Sequence, residues 1–485
     1  MMNETMENHA SASGMKGMTI EQMARACEAQ IVGQLPADSG AEATAVVTDS
    51  RQLTRGALFV ALPGARVDGH DFIRQAFAEG ALAVVCEHVP EGVSGPCLVV
   101  PSTRAALRSL AAYYLDQLQL PVVGITGSVG KTSTKEMIAS VLSQHYCVHK
   151  TAGNFNNEIG LPLTIFGLRR EHEVAVLEMG ISDFGEMSRL AAIARPNVAV
   201  ITNIGVCHLE NLGSRDGILQ AKTEMLDYLK DDATVVLNGD DDKLCTIEAV
   251  QGKAPVFYGL GETKPQGARY ESKDICAENV VDLGLRGVDF DLCMNGGVSR
   301  VHIAIPGMHN VYNAMAAAAV GRSLGLSVEE ICAGIEAART IDGRTNLIET
   351  NGYLVIDDCY NANPVSMRAA IDVLAQAKGR KIAVLGDMGE LGEKERSLHY
   401  EVGAYLAAKH IDWLFAAGTL SEELVRGVEE APDFITQYDY FKTDTDALLS
   451  RVRDFVQPGD TVLIKASHFM NYPRIVRALT EKENP

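Results

Sequence analysis

Short apolar runs that end in polar residues recur along the chain and alternate with helical patterns. Between residues 46 and 89, the runs in "VVTDSRQLTRGALFVAL" and "ALAVVCEHV" flank a helical pattern near Ile73 to Glu79. Apolar runs of this length are typical of buried strands, and their alternation with a helix indicates an α/β unit. We therefore predict a small N-terminal α/β domain at residues 18–101.

The middle of the chain carries strands that are apolar along most of their length. "VVGIT", "VAVLEMG" and "VAVITNIG" lead into polar residues, among them Glu178, Thr202 and Asn203. Strands that are apolar on both sides are buried on both faces, which predicts a parallel sheet covered by helices. Because ligands bind at the carboxyl ends of such strands, these polar residues indicate one site. Together with a less regular β-rich stretch at about 265–306, this domain is predicted at residues 102–341.

The same alternation returns after Gly343. The strands "YLVIDD", "KIAVLGD", "WLFAAG" and "TVLIKAS" are separated by helical segments. This pattern predicts a C-terminal Rossmann-like domain at residues 342–485. The predicted fold class is therefore α/β, with three domains.

The composition is that of an ordinary soluble globular protein. The 485 residues are 47% hydrophobic and 22% charged, and a length of roughly 150 residues per domain agrees with three domains. The net charge of −20 disfavours nucleic acid and anionic membrane surfaces as partners. No apolar run reaches the length of about 20 residues that a membrane span needs. A phosphate ligand must therefore be held by local amides, lysines and divalent metal.

The cysteines and the N-terminus indicate the compartment. The ten cysteines include no C-x-x-C pair and no short Cys/His cluster, and "MMNETMENHASASGMKG" lacks the apolar core of a secretory signal. We therefore predict reduced thiols and a cytoplasmic protein. The first 17 residues are predicted to be a disordered leader, or to precede the start of the protein at Met18.

The segment "GITGSVGKTSTKEM", residues 124–137, joins a predicted strand to a predicted helix. In a P-loop, the amides of such a turn face phosphate, the lysine offsets its charge and the threonine hydroxyl reaches magnesium. The spacing is a variant, because Ile125 stands where the standard pattern has glycine. A tight turn without a ligand is the alternative, but glycine, lysine and threonine coincide at the strand end and favour a nucleotide. The predicted nucleotide-binding residues are Gly127, Ser128, Val129, Gly130, Lys131, Thr132 and Ser133.

Polar residues near this loop are candidates for metal and phosphate contacts. Glu178 stands where a hard oxygen ligand for Mg²⁺ is needed, with a solvated carboxylate as the alternative. His208 is either a metal ligand or phosphate contact, or a loop histidine with its own partners. Asn154 and Asn157 offer side-chain amides, although Asn and Gly clusters also form turns.

Lys222 interrupts an apolar helix face in "DGILQAKTEMLDYL". It either extends past its neighbours to water or is buried as a neutral amine. A neutral amine can react with CO₂ to form a carbamate, which would be an anionic metal ligand. Periodicity permits both interpretations. At about 100° per residue, Lys222 lies in the arc of Ile218, Leu219, Met225, Leu226 and Leu229.

In the same order along the chain, a series of segments resembles the motifs of the Mur ligases of bacterial cell-wall synthesis. The segments are "TGSVGKTSTKEM", "GNFNNEIGLPLT", "VLEMG", "HLENLGS", "QAKTEML", "GMHNVYNAMAAAA", "DGR" and "DDCYNANPVSM". The resemblance covers the chain from about Met18 to its end. "YNANPVSM" and "LGDMGELG" are most similar to the member that adds a D-alanyl-D-alanine dipeptide. The D-N-P-R-type motif of the member that adds the third amino acid is absent.

The resemblance implies an ATP-dependent amide ligase in peptidoglycan precursor synthesis. The N-terminal domain would bind UDP-N-acetylmuramoyl-tripeptide, the central P-loop ATPase domain would bind ATP, and the C-terminal domain would largely bind the incoming D-Ala-D-Ala. An acyl phosphate would form on the peptide carboxylate before the dipeptide amine attacks. The protein is expected to act as a monomer.

The resemblance also implies roles for individual residues. Lys131 would contact the γ-phosphate, while Thr132 and Glu178 would bind one Mg²⁺. A second Mg²⁺ would be bound by His208 and carbamylated Lys222. Asn310 would contact adenine, and Arg344 and Asp358 would contact the ATP ribose and phosphates. Asn154 and Asn157 would lie near the reacting phosphate. Ser50 and Arg51 would lie near the UDP moiety.

One segment departs from the family pattern. In "LIKASHFM", Ala466 and His468 stand where relatives typically show the glycine and arginine of K-G-S-R. The contacts to the dipeptide are therefore open.

Other functions also stay open on the sequence alone. One is another Mur-type ligase, such as the one that adds the third residue, or a folylpolyglutamate synthase. A second is a P-loop switch or motor, for which the guanine-specifying N-K-x-D segment is missing from the sequence. A third is a nucleotide-binding module without catalysis. The sequence does not decide whether the tripeptide ends in lysine or diaminopimelate.

Overall fold

The computed structural model describes residues 15–481, apart from residues 39, 65, 351, 433 and 434. Within these residues the strands form three sheets, of five, nine and six strands. The predicted α/β class is confirmed. Each sheet lies inside one of the three predicted segments, and the exact domain limits stay a prediction.

The N-terminal sheet is built from short strands. Its strand order is β1-β5-β4-β3-β2, with β1 antiparallel to β5 and the other neighbours parallel. Its elements are α1 (Ile20–Ala26), β1 (Gln30–Val32), β2 (Val46–Val47), β3 (Leu58–Val60), α2 (Ile73–Ala78), β4 (Ala83–Cys86) and β5 (Cys97–Val99).

The predicted leader is partly ordered. Met15 is buried in the same core as α1, and the backbone amide of Lys16 donates to Tyr114 Oη at 3.1 Å. The prediction of a disordered leader is therefore wrong for residues 15–17, because an apolar side chain in this segment packs on the core. Residues 1–14 lie outside the described part of the chain.

The central sheet has the order β14-β13-β12-β11-β10-β9-β6-β8-β7. Neighbours from β7 to β12 are parallel, as predicted, while β12, β13 and β14 form the antiparallel end that was predicted as β-rich. The elements are α3 (Thr103–Leu118), β6 (Val122–Thr126), α4 (Lys131–Leu142), β7 (Val148–Lys150), α5 (Gly160–Phe166), β8 (Val174–Glu178), α6 (Glu186–Ala194), β9 (Val198–Ile201), α7 (Leu209–Leu212), α8 (Arg215–Thr223), β10 (Thr234–Asn238), β11 (Val256–Leu260), β12 (Ile275–Asp282), β13 (Val288–Met294), β14 (Gly297–Ile303), α9 (His309–Ser323) and α10 (Val328–Ala337).

Helices cover both faces of this sheet, as its apolar strands require. One apolar core includes residues of α3, α5, α6 and α8, and the other includes residues of α4, α9 and α10. Alternate residues of β6 enter opposite cores, since Val122 belongs to the first and Val123 to the second. A strand with both faces buried therefore ends at the P-loop.

The C-terminal sheet has the order β15-β16-β20-β17-β18-β19, with only β15 antiparallel to its neighbour in the described residues. Its elements are β15 (Asn346–Glu349), β16 (Leu354–Asp357), α11 (Pro364–Ala375), β17 (Lys381–Gly386), α12 (Glu395–Ala408), β18 (Trp413–Ala417), α13 (Ser421–Glu429), β19 (Gln437–Tyr440), α14 (Thr445–Phe455), β20 (Thr461–Lys465) and α15 (Pro473–Thr480). None of the helices in the described part of the chain has both the length and the hydropathy of a membrane span.

Candidate active site between the central and C-terminal sheets

The P-loop joins the end of β6 to the start of α4 and depends on two glycines. Gly130 is the N-cap of α4 with φ +82°, and Gly127 has φ +152°. A Cβ atom on Gly127 would lie 1.9 Å from Thr202 Oγ1, so no other residue fits there. The first amides of α4 have no partner inside the helix, so this turn has the geometry of a phosphate-binding loop, and nucleotide binding by its residues stays a prediction.

Thr202 and Asn203, which follow β9, hold the P-loop through hydrogen bonds to its backbone. Val129 N donates to Asn203 Oδ1 at 3.0 Å, and Thr202 Oγ1 donates to the Val129 carbonyl at 2.7 Å. Lys131 Nζ donates to the Gly127 carbonyl at 2.9 Å, which keeps the ammonium over the loop. The polar residues at the end of β9 thus shape the phosphate-binding turn.

A cavity of about 630 Å³ opens in front of this loop and is lined from both sheets. The central domain contributes loop residues 128–133, Glu178, His208 and both predicted asparagines. The C-terminal segment contributes Arg344, Tyr360 and Glu390. The structure therefore brings together Lys131, Thr132, Glu178, His208, Asn154, Asn157 and Arg344.

Glu178 is a buried carboxylate with one free oxygen. It is 2% exposed, and Asn156 Nδ2 donates to its Oε1 at 2.9 Å. Its Oε2 has no hydrogen-bond partner among the described residues and lies 3.8 Å from Lys135 Nζ. An unpartnered buried carboxylate oxygen at a phosphate cavity fits a cation ligand.

His208 contacts the C-terminal sheet domain. Its Nδ1 lies 2.8 Å from Glu390 Oε2, and this contact lowers the pKa of the Glu390 carboxyl. Glu390 lies in the "LGDMGELG" segment, which sequence reasoning used as a family motif but not as a site. The contact joins loops that follow strands of two different sheets.

Lys222 is buried behind the cavity rather than lining it. The residue is 1% exposed, and burial lowers the pKa of its amine to about 8. The nearby charge of Lys131 lowers this pKa further, while Cys207 opposes the shift. Of the two predicted states, the buried amine is the one observed.

The helix that carries Lys222 is shorter than the sequence pattern predicted, since the apolar positions used for that pattern extend to Leu229. α8 ends at Thr223, and a 3₁₀ helix follows at Glu224–Tyr228. Thr223 Oγ1 donates back to the Leu219 carbonyl, and the Glu224 carboxylate accepts from Ser188 N. The first bond competes with the helix ladder inside α8, the second ties the turn to α6, and the chain tightens there into the 3₁₀ helix.

A second cavity of about 180 Å³ lies on the other side of the P-loop. It is lined by Asp358, Arg344 and the α9 residues His309 and Asn313, but not by Asn310. The Asn310 amide instead donates to the Pro306 carbonyl and accepts from Asn313 Nδ2. The predicted adenine residue therefore stands next to the cavity, and its neighbours face it.

Lys465, which sequence reasoning did not assign, supports Asp358. Its buried Nζ lies 2.6 Å from Asp358 Oδ2 and 3.0 Å from the Asn361 carbonyl. In the segment "LIKASHFM", which differs from the family pattern, Ala466 is fully buried and the His468 ring lies 5.8 Å from the Tyr360 ring. The segment thus packs around the cavity walls.

Ser50 and Arg51 lie apart from these cavities. They form a 3₁₀ helix, Ser50–Gln52, in the N-terminal sheet domain, and Arg51 pairs with Asp49 at 2.6 Å. The Arg51 side chain is 85% exposed. The structure does not bring these two residues to the P-loop.

Comparison with known proteins agrees with this arrangement. The chain matches the Mur ligase family, catalytic domain, at residues 42–115, the Mur ligase middle domain at 125–321, and the Mur ligase, glutamate ligase domain, at 343–468. It is 40% identical to the UDP-N-acetylmuramoyl-tripeptide--D-alanyl-D-alanine ligase of Bacillus subtilis over 90% of this chain and 93% of that protein.

Solved structures show the same fold. MurF from Acinetobacter baumannii superposes with a TM-score of 0.86 at 35% identity, over 97% of this chain and all of that one. MurF ligase from Thermotoga maritima in complex with ADP gives 0.76 at 31% identity, over 90% and 96% of the two chains. The similarity thus extends over the N-terminal, central and C-terminal sheets together. The chain belongs to the Mur ligase family.

Proposed function

We propose that this protein is an ATP-dependent ligase that joins D-Ala-D-Ala to UDP-N-acetylmuramoyl-tripeptide in peptidoglycan synthesis. The observation that carries the proposal is the cavity of about 630 Å³, in which a P-loop meets polar residues of a second sheet. The relatives that match over nine tenths of the chain carry this ligase name. The alternatives of a third-residue-adding ligase or a folylpolyglutamate synthase are not favoured.

The chemistry requires an activated carboxylate. A carboxylate oxygen of the tripeptide attacks the γ-phosphorus of ATP, ADP leaves, and an acyl phosphate forms. The neutral amine of D-Ala-D-Ala then attacks the carbonyl carbon, phosphate leaves, and the nitrogen loses a proton. The loop amides and Lys131 would stabilise the charge on the transferred phosphoryl group, and Arg344 would add a second cation.

We propose two magnesium sites, one at the cavity and one between the cavity residue His208 and the buried Lys222 behind it. Thr132 and Glu178 would hold one, since Glu178 Oε2 is buried and has no hydrogen bond in the described chain. His208 and carbamylated Lys222 would hold the other. Magnesium, when bound, would offset negative charge on the phosphates.

The burial of Lys222 supports the proposal that its amine is carbamylated. Desolvation favours the neutral amine, which can add to CO₂ with loss of one proton and become an anionic carbamate. The anion would then offset the charge of a metal held by His208. The residue's low exposure supports the modification, because an exposed lysine would stay protonated.

The remaining assignments are proposals that follow the resemblance. Asn310 is proposed for the adenine end of ATP, together with its α9 neighbours at the smaller cavity, and Asp358 for the ribose and phosphates. Asn154 and Asn157 are proposed for the reacting phosphate, and Ser50 with Arg51 for the UDP moiety. We also propose the domain limits 18–101, 102–341 and 342–485, a cytoplasmic location and a monomer.

The test is ATP turnover by purified protein with UDP-N-acetylmuramoyl-tripeptide, with and without D-Ala-D-Ala. We expect phosphate release that requires both substrates, and a product heavier by one dipeptide less water. Turnover with a diamino acid or glutamate in place of the dipeptide would favour the alternatives. Nucleotide binding without turnover would contradict the ligase proposal, and tripeptides ending in lysine or diaminopimelate would show which one is used.

A further inference from the structure

The backbone around Arg344 is held in an uncommon conformation. Gly343 has φ +75° and Thr345 has φ +46°, so Arg344 stands between two left-handed residues. Gly343 N donates to Asp357 Oδ2 at 2.8 Å, and Thr345 N donates to Asp358 Oδ1 at 3.1 Å. The two aspartates at the end of β16 therefore fix this turn on both sides, which offsets the cost of the strained backbone.

The side chain of Arg344 points from this turn to the P-loop. Arg344 Nη2 donates to Thr132 Oγ1 at 3.5 Å, and Arg344 lines both cavities. Its buried Nε has no hydrogen-bond partner within the described residues. A guanidinium at the junction of two cavities beside a phosphate-binding loop is available for a phosphate.

Tyr360 provides the surface on which this guanidinium rests. The Arg344 Cζ lies 4.1 Å from the centre of the Tyr360 ring, and Tyr360 N donates to the Gly343 carbonyl at 3.2 Å. The ring of His468 lies 5.8 Å from the Tyr360 ring. Tyr360 therefore contacts both the backbone and the guanidinium of the arginine turn.

We propose that Tyr360 is a positioning residue, which holds Arg344 toward the phosphates of ATP. A free arginine side chain samples many rotamers, and fixing one of them costs free energy when the ligand binds. The aromatic face and the guanidinium attract each other, so the ring selects the phosphate-facing rotamer before ATP arrives. This inference rests on the proposed function for its assignment of ATP.

The experiment compares Tyr360→Phe, which keeps the aromatic face, with Tyr360→Leu, which removes it. Each is made alone and in an Arg344→Ala background, and ATP affinity is measured by calorimetry together with kcat/KM for ATP. A cation–π contact is worth about 2- to 30-fold in an equilibrium constant. We expect Tyr360→Leu to weaken ATP binding about 10-fold and Tyr360→Phe to stay within about 2-fold of the parent.

The Arg344→Ala background separates positioning from structure. If Tyr360 acts through Arg344, Tyr360→Leu has no further effect once the arginine is gone. Tyr405→Leu is the matched control, because Tyr405 also packs against an arginine, Arg368 at 5.4 Å, but on α12 away from the cavities. It should leave ATP affinity unchanged, and thermal unfolding checks that each variant folds.

Several results would overturn the inference. A loss of ATP affinity in Tyr360→Phe equal to that in Tyr360→Leu would place the role in the hydroxyl group. A loss that persists in the Arg344→Ala background would show a general structural role, and no loss at all would show no role. Because the calorimetric ATP affinity is measured without the other substrates, this reading stands even if the ligase assay and its kcat/KM fail.

Discussion

Replacing Lys222 by methionine removes a buried amine while keeping most of the side-chain volume. The residue is 1% exposed and lies on the apolar face of α8 with Ile218 and Ala221. A fall of its pKa from 10.5 to about 8 on folding corresponds to about 3 kcal/mol of unfavourable free energy for the charged form. In buffer free of CO₂ the methionine variant should therefore be the more stable protein near neutral pH.

The direction in which stability changes with pH depends on whether the folded or the unfolded chain binds more protons. The folded pKa is the lower one, so the unfolded chain binds more protons between pH 8 and 10.5. The free energy of unfolding of the parent should therefore rise with pH across this window. Below pH 8 the parent bears the full unfavourable free energy of burying a charged Lys222. The advantage of Lys222→Met should accordingly be largest at neutral pH and fade toward pH 10.5.

Thermal unfolding at several pH values measures this difference. About 3 kcal/mol in a domain of 150–250 residues would shift the melting temperature by about 6–12 °C. Lys243→Met is the matched control, since Lys243 forms a surface ion pair with Asp216 beside the same helix. That variant should show no stability gain.

Activity should change in the opposite direction to stability. Lys222→Met and Lys222→Ala should both lose ligation, because neither can carry a carbamate, and added formate or acetate should partly restore Lys222→Ala by filling the space with an anion. Full turnover by Lys222→Met, or a variant less stable than the parent at neutral pH, would refute the reasoning. So would a high-resolution map of the ATP complex with an unmodified amine.

Three further predictions concern the ATP site. Lys131→Ala should keep the fold by circular dichroism but lose ligation by about 100- to 1,000-fold, since it removes the loop cation that we propose for the γ-phosphate; near-normal turnover would contradict the P-loop assignment. Because Arg344 and Asp358 of the C-terminal domain are proposed to complete the ATP site of the central domain, nucleotide and UDP-substrate together should make the protein more compact in solution scattering, and unchanged profiles would argue against closure. With the tripeptide carboxylate labelled in ¹⁸O, one label should appear in the released phosphate, whereas unlabelled phosphate alongside amide product would rule out an acyl phosphate.

Much of the site could be predicted because its parts are local. The P-loop is a contiguous segment, and its strand and helix were visible as an apolar run and a following periodic pattern. Glu178, Thr202 and Asn203 were predictable as strand-end residues, since parallel strands place their carboxyl ends at one edge. The structure adds Asn156, whose amide bonds Glu178 and which stood unremarked between the two predicted asparagines.

Contacts between domains could not be predicted in this way. His208 meets Glu390, and Thr132 meets Arg344, which is 212 positions away in the chain. Within the C-terminal domain, Tyr360 and Lys465 likewise contact side chains of other segments, Arg344 and Asp358. Hydrophobic periodicity shows which face of an element is buried, but it carries no information about which loop of a distant domain lies opposite.

The sequence by itself determined the class of fold, the parallel central sheet, the glycine-rich turn between a strand and a helix, and the place of Lys222 on an apolar helix face. Each of these follows from the spacing of apolar and polar residues over a few turns or one strand. Only the tertiary structure decided where α8 ends, that His309 and Asn313 rather than Asn310 line the smaller cavity, and that Arg344 rests on Tyr360. These details depend on contacts between different elements, within one sheet domain or across two, and the spacing of apolar residues along one element carries no information about which other elements it meets.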